Sequence, residues 1–170
     1  MITDPWLALY VKPRHEKHVA NALSSKGYKC FLPTYVKKHA HSKRYELPLF
    51  PCYVFCRTAV TGTLEVKKTP GVFSIVGDQN GPLSVSEEEL DQVRALVHSG
   101  LVLHLWPYLN LGDRIEIDSG PLHGTRGIVV DLSKEKWLVV SVHILERSVA
   151  VKLDRASLEE GSIQVRKITA

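Results

Sequence analysis

Cys52 and Cys56, with Cys30, His39 and His41, are the side chains of this sequence with the chemistry to hold a metal, since thiolates and imidazoles are the usual ligands of zinc. Their spacing argues against it. Cys52 and Cys56 lie four apart in a stretch that reads as a strand, so both point to the face opposite Tyr53 and Phe55. There a small thiol packs as an apolar residue. No Ser-His-Asp arrangement, phosphate-binding glycine loop or paired-carboxylate motif occurs at a usable spacing. The glycines at 120, 124 and 127 suit the sharp corners of a barrel better than a nucleotide site. Neither an enzyme nor a cofactor or metal site is read from these residues.

Charge and aromatic side chains offer binding instead of catalysis. The net charge is only +4, but residues 1–58 hold ten Lys and Arg against three Asp and Glu, and four of the eight histidines. Residues 59–110 hold three against six, and residues 111–170 nine against nine. The basic first third reads either as a surface that neutralises phosphates or as a solvated face that aids solubility. Lys12, Arg14, Lys17 and His18 fall together near the start of a helix. Lys37, Lys38, Lys43 and Arg44, with His39 and His41, fall in a polar stretch that reads as the exposed tip of a hairpin. Tyr10 shares a strand face with Trp6 and Ala8, and Tyr53 shares one with Phe55. If the two strands pair, Tyr10, Tyr53 and Phe55 make one apolar surface rimmed by Phe50.

The elements that would position these residues follow from periodicity. Trp6 to Val11 is a continuous apolar run, a strand buried on both faces. Pro13 and Arg14 open a helix with Val19, Ala22 and Leu23 inward, ended by Gly27. Tyr28 to Tyr35 reads as a strand interrupted by Pro33, and Leu49 to Cys56 as an aromatic-rich strand. Ser86 to Glu89 is a capping box, followed by Leu90, Val93 and Val97 on one helix face and a stop at Gly100. Strand and helix therefore alternate over residues 5–99, the pattern of helices packed on a sheet. After Asn110 the pattern is short alternating strands with glycine turns, which suggests a small barrel. The join, Leu101 to Leu111, is apolar enough to pack against one unit.

Length and composition agree with two small domains. The chain has 170 residues, 44% hydrophobic and 24% charged, an ordinary globular balance. No apolar run reaches the roughly 18–20 residues of a membrane-spanning helix, and Met1 to Pro5 has no secretion-signal character. Three cysteines cannot all pair, and a chain of this size builds its cores without them. A soluble, monomeric cytoplasmic protein is expected.

Two segments together resemble the NusG family of transcription elongation factors. Pro48-Leu49-Phe50-Pro51-Cys52-Tyr53-Val54-Phe55, with Trp6 to Tyr10 before it and Thr69-Pro70-Gly71-Val72 after, is similar to the family's polymerase-binding domain. Gly112 to Ile115 and Gly120-Pro121-Leu122-His123-Gly124-Thr125-Arg126-Gly127 are similar to a KOW motif. The resemblance implies an α+β chain. An N-terminal α/β sandwich, an antiparallel sheet with flanking helices at residues 5–100, leads through an apolar linker at 101–110. A five-stranded SH3-like KOW β-barrel follows at 111–168. It further implies that Tyr10, Phe50, Pro51, Tyr53 and Phe55 line a groove for the clamp helices of the largest RNA polymerase subunit, with Phe55 open between groove and core. Lys12, Arg14, Lys17 and His18 would face upstream or non-template DNA, which the hairpin cations could also approach.

In the barrel, Ile144, Leu145 and Arg147 match the loop through which the general factor contacts ribosomal protein S10 or Rho. Here Leu145 and Glu146 stand where an aromatic and a glycine are frequent. Ile144 reads equally as barrel core. The Leu49-Phe50-Pro51 block and Cys52, where the general factor usually has glycine, are closer to the specialised RfaH-like paralogues that suppress termination on particular operons. A housekeeping factor is the alternative within the family. A ribosomal KOW protein is the alternative from another class, against which the neutral charge of residues 111–170 counts.

Overall fold

The computed structural model describes residues 4–38, 44–106, 108, 113–132, 135–154 and 164–168. It is a mixture of helix and antiparallel sheet that divides into two compact units, Met1–Glu87 and Glu88–Ala170.

In the first unit, strand β1 (Trp6–Val11) leads to helix α1 (Glu16–Ser25), then β2 (Lys29–Phe31) and a hairpin of β3 (Thr34–Lys38) and β4 (Arg44–Pro48). Strand β5 (Tyr53–Arg57), helix α2 (Thr63–Lys67), β6 (Val72–Ile75), and the two-residue strands β7 (Gly77–Asp78), β8 (Gly81–Pro82) and β9 (Ser84–Val85) follow. The main sheet runs β2-β5-β1-β6, with β9 added to the start of β1. All of its pairings are antiparallel. Period-two alternation gives β1 two different faces. Leu7, Leu9 and Val11 meet Val19 and Leu23 of α1 and Val66 of α2 in one core with Val54, Cys56 and Ile75. Trp6, Ala8 and Tyr10 point the other way.

Three tight turns close one end of this sheet, and each has the form X-Pro-Z-X. Lys12-Pro13-Arg14-His15, Phe50-Pro51-Cys52-Tyr53 and Thr69-Pro70-Gly71-Val72 are each closed by the fourth N–H donating to the first carbonyl, at 3.0, 3.1 and 3.1 Å. Their third residues have φ of 65°, 69° and 97°. Proline second and a left-handed third residue define a type II turn. The turns also bond to the sheet they close, Val11 N–H to the Cys52 carbonyl and Lys12 N–H to the Gly71 carbonyl, both at 2.8 Å. Two expected boundaries move for this reason. Helix α1 starts at Glu16 instead of Pro13, because Arg14 is left-handed. Strand β5 starts at Tyr53 instead of Leu49, because Cys52 is. Pro33 likewise splits the expected 28–35 strand into β2 and β3, which belong to separate sheets.

In the second unit, α3 (Glu87–His98, within this unit from Glu88) buries Leu90, Val93 and Leu96, one position short of the expected Val97. Glu89, expected as a capping-box partner, engages His143 Nδ1 with its carboxylate. Arg126 donates from its backbone N–H to Gln92 Oε1 at 2.5 Å and pairs with Glu88 at 2.7 Å, so α3 is fastened to the sheet that follows. That sheet comprises β10 (Leu103–Trp106), β11 (Asp113–Ile117), β12 (Arg126–Leu132), β13 (Glu135–Val142), β14 (Arg147–Leu153) and β15 (Val165–Lys167). Its order among the described residues is β10-β14-β13-β12-β11-β15. Six strands appear where five were expected, because residues 103–106 of the expected linker pair with β14, from Leu103↔Val151 to Trp106↔Ser148. Trp106 and His104 both pack against Trp137, with ring centroids 5.1 and 5.0 Å away. Ile115, Ile117, Leu122, Leu138, Val149 and Val151 are among the buried residues of this unit.

Candidate functional site

Strands β1 and β5 pair in the register that sets Tyr10 opposite Tyr53 and Ala8 opposite Phe55. Tyr10 is 40% exposed and its ring lies 5.6 Å from that of Tyr53, which is half-buried. A third aromatic completes the patch. Phe73 is 63% exposed and lies 5.8 Å from Tyr10 on the other side. It arrives there through a β-bulge: Tyr10 pairs with Ser74 and Val11 with Val72, leaving Phe73 as the extra residue of β6. A bulge re-aims a side chain, so alternation in the sequence gave no sign of Phe73.

The remaining residues expected in the groove part company. Pro51 is exposed at the tip of its turn. Phe50 is 2% exposed and Phe55 fully buried. Phe55 stacks on Phe31 at 6.1 Å and meets the edge of Phe50 at 5.9 Å. The reading of Phe50 as a partly exposed rim is corrected: its turn directs Pro51 outward and Phe50 inward, where it joins Phe31 and Phe55 in a cluster of rings. Trp6, at the far end of the same face, carries the Arg57 guanidinium 5.5 Å over its ring.

Beside the aromatic patch lies a basic corner. Lys12, Arg14, Lys17 and His18 are all exposed around the Pro13 turn and the first turn of α1. Arg14 holds its φ of 65° without being glycine, a conformation that costs a side-chain-bearing residue on the order of 1 kcal/mol. Glu16 anchors the corner from below. It is 5% exposed, and its Oε1 accepts the Cys52 N–H at 2.9 Å, joining α1 to the Pro51 turn. A cleft of about 430 Å³ opens between the two, lined by Pro13, Arg14, Lys17, Tyr35, Pro48 and Pro51 among others.

Across that cleft Lys17 donates to Glu46 Oε2 at 2.5 Å, and Thr34 donates to Glu46 Oε1 at 2.7 Å. The Lys17 hydrogen bond, then that of Thr34, holds the Glu46 carboxyl below the usual carboxylate range. This link is therefore complete above the unfolded carboxylate pKa and is lost as the pH falls through the lowered one. With both partners half exposed it contributes little to stability. Of the expected nucleic-acid residues on the hairpin, Lys37 and Arg44 are exposed on β3 and β4. Lys38 pairs with Arg44 in the ladder, and Lys43 lies outside the described residues, as do His39 and His41.

In the second unit, Arg147 is exposed and Ile144 half-buried, while Leu145 is 7% exposed. Leu145 is corrected from contact surface to core, because the single 3-10 turn at His143–Leu145 rotates it inward. Glu146 follows with φ 47°, which explains why glycine suits that position. Gly112, at the start of the KOW-like segment, is outside the described residues. No helix among the described residues is long and apolar enough to cross a membrane.

Comparison with curated proteins returns no match. Among solved structures, one concerned with domain interaction in Thermotoga maritima NusG covers 98% of this chain and 98% of its own, at 21% identity and a TM-score of 0.53, which is a likeness of fold. An MjSpt4:Spt5 complex covers 97% and 99% at 18% identity, with a TM-score of 0.33. Residues 4–94, which carry β1 with its aromatic patch, the basic corner and all three proline turns, match the family described as transcription termination factor nusG. The match spans more than half of the sequence, and the chain belongs to the NusG family.

Proposed function

We propose that this chain is a transcription elongation factor that binds RNA polymerase through the patch of Tyr10, Tyr53 and Phe73. The observation that carries the reading is a run of aromatics on a sheet face of a NusG-family domain, with exposed Tyr10 touching half-buried Tyr53 on one side and exposed Phe73 on the other. Large rigid rings exposed together are the usual anchors of a helix laid across a surface, and the clamp helices of the largest polymerase subunit are the partner proposed for them. Pro51 borders the patch. Phe50 and Phe55 are buried and are not contact residues. The polymerase-binding domain, expected at residues 5–100, is assigned to the first unit, and the KOW domain, expected at 111–168, to the second, which α3 and β10 join. Ribosomal protein S10 or Rho is the partner class proposed for the latter, through Ile144 and Arg147. The factor acts in the cytoplasm, as a monomer, and promotes processivity and antitermination on particular operons. Cys52 at a left-handed turn position where the general factor favours glycine supports that specialised reading.

Replacing Tyr10 and Phe73 together by alanine is expected to weaken binding to a clamp-helix fragment by about 2 kcal/mol or more. Stability should change little, because both side chains are exposed. Titration calorimetry together with urea unfolding checks both halves. An unchanged affinity removes the patch from the interface.

The basic corner supplies cations for the displaced non-template strand or the upstream duplex, with Lys12, Arg14 and His18 leading. Lys17 has to leave Glu46 before it can serve. Left-handed strain retained at a non-glycine residue points from geometry to use. Arg14→Gly is therefore expected to act in opposite directions on fold and function. Unfolding free energy should hold steady or rise by up to about 1 kcal/mol, since the strain is relieved. Affinity for the elongation complex should fall, and the slope of log K against log salt should flatten by about one ion. A variant that loses stability, or keeps its salt slope, contradicts this role for Arg14.

A further inference from the structure

Cys30 of β2 and Cys56 of β5 are direct partners in an antiparallel ladder, so both thiols leave the same face of the sheet. Directly opposed residues in such a ladder have Cα atoms about 4.5–5.5 Å apart. That lies within the roughly 4.4–6.8 Å that a disulfide spans. Both are free thiols, as is Cys52. The two environments differ in a useful way. Cys56 is fully buried in the core under α1, whereas Cys30 is half-buried at the margin of that core. The hydrogen bond with Cys56 lowers the Cys30 pKa, burial opposes it, and a further bond from Ser24 lowers it again. The same bond with Cys30, then burial and the neighbouring charge, push the Cys56 pKa up. Cys56 Sγ also donates to the Arg57 carbonyl at 3.9 Å, so of the two thiols that of Cys30 ionises the more readily.

We propose that Cys30 and Cys56 form a reversible two-thiol redox site in the first unit, whose substrate is a small hydroperoxide and whose product is a cross-strand disulfide. The Cys30 thiolate attacks one peroxide oxygen; the S–O bond forms as the O–O bond breaks, and the departing oxygen takes up a proton. With hydrogen peroxide this yields water and a sulfenic acid on Cys30. The Cys56 sulfur then attacks the sulfenic sulfur. The S–S bond forms, the S–O bond breaks, and hydroxide leaves as water with the Cys56 proton. Two electrons pass from the thiol pair to the peroxide bond. Exchange with a dithiol, itself oxidised to a disulfide, restores both thiols, as is usual for disulfides that form transiently in reducing compartments. The crosslink ties β2, an edge strand of three residues, to β5, where Phe31 already stacks on Phe55 one position along.

The test uses the full chain and hydrogen peroxide, followed by quenching, denaturation, maleimide labelling and mass spectrometry. The reduced chain should take three labels and the oxidised chain one, on Cys52, with a mass lower by two hydrogen atoms and a peptide joining Cys30 to Cys56. Dithiothreitol should restore all three. The C52S variant should lose the same two labels, while in C30S Cys56 should remain reduced. A bond through Cys52, three labels persisting after oxidation, or oxygen added to Cys30 without closure each overturns the proposal.

Discussion

Truncation of Phe50 to alanine should lower the unfolding free energy by about 3–5 kcal/mol, the range for removing a buried phenylalanine ring. Phe50 is 2% exposed and meets Phe55 edge to face, so its loss leaves a cavity against a ring that is itself fully buried. Backbone collapse cannot fill it readily. The neighbouring turn is pinned by Val11 N–H on the Cys52 carbonyl and by Cys52 N–H on Glu16. Phe50→Leu, which keeps most of the volume, should lose much less. Urea unfolding of the two variants gives the measurement. If the alanine variant loses under about 1 kcal/mol, the ring is not the support that its burial implies. Any loss of polymerase affinity in this variant should then track the fraction unfolded, unlike the loss expected for Tyr10 and Phe73.

Gly127→Ala is expected to be nearly as damaging, by about 3 kcal/mol, for want of space. A Cβ there would stand 2.5 Å from the Val139 carbonyl oxygen and 2.8 Å from Leu138 Cδ1. The oxygen belongs to the backbone of β13, which pairs with β12 on one side and β14 on the other, so it cannot retreat without breaking a ladder. Gly124 provides the contrast. Its Cβ would meet nothing within 4 Å, but its φ is 78°. Gly124→Ala should therefore lose only the left-handed strain, about 1 kcal/mol. Thermal unfolding of both variants ranks them, and the reverse order would show that conformation outweighs space at Gly127.

The elements of the sequence that proved legible are those in which side-chain pattern and backbone agree. The apolar run at β1, the amphipathic face of α1 and the alternation in β11 and β14 each name their own structure. Thr69-Pro70-Gly71-Val72 also announces its turn, with proline and glycine in the required places. The other two turns of the same type were concealed. Arg14 and Cys52 hold the left-handed position without glycine, so the sequence reads onward as helix in one place and as strand in the other. Two of the three rings of the aromatic patch could be read, because Tyr10 and Tyr53 share a face once β1 pairs with β5. Phe73 could not, since a bulge breaks the alternation by which faces are assigned. Nor does composition separate Phe50 from Tyr10: aromatic rings suit a core and an interface equally well, and only the turn geometry decides.

Strand β10 carries a consequence for the order of assembly. β11 to β14 follow one another along the chain, whereas Leu103 meets Val151 only across all of them. Loop-closure entropy delays such a distant pairing. On the ribosome β10 emerges long before its partner and waits, with its apolar residues uncovered, until β14 has been synthesised. At equilibrium the same strand, held along one side by four residues, should leave before the strands paired on both sides. Its amides would then exchange with solvent while those of β12 and β13 stay protected. The population of a bare β14 is thus set by a local opening, and a change confined to residues 103–106 should raise or lower it while β11 to β14 stay paired.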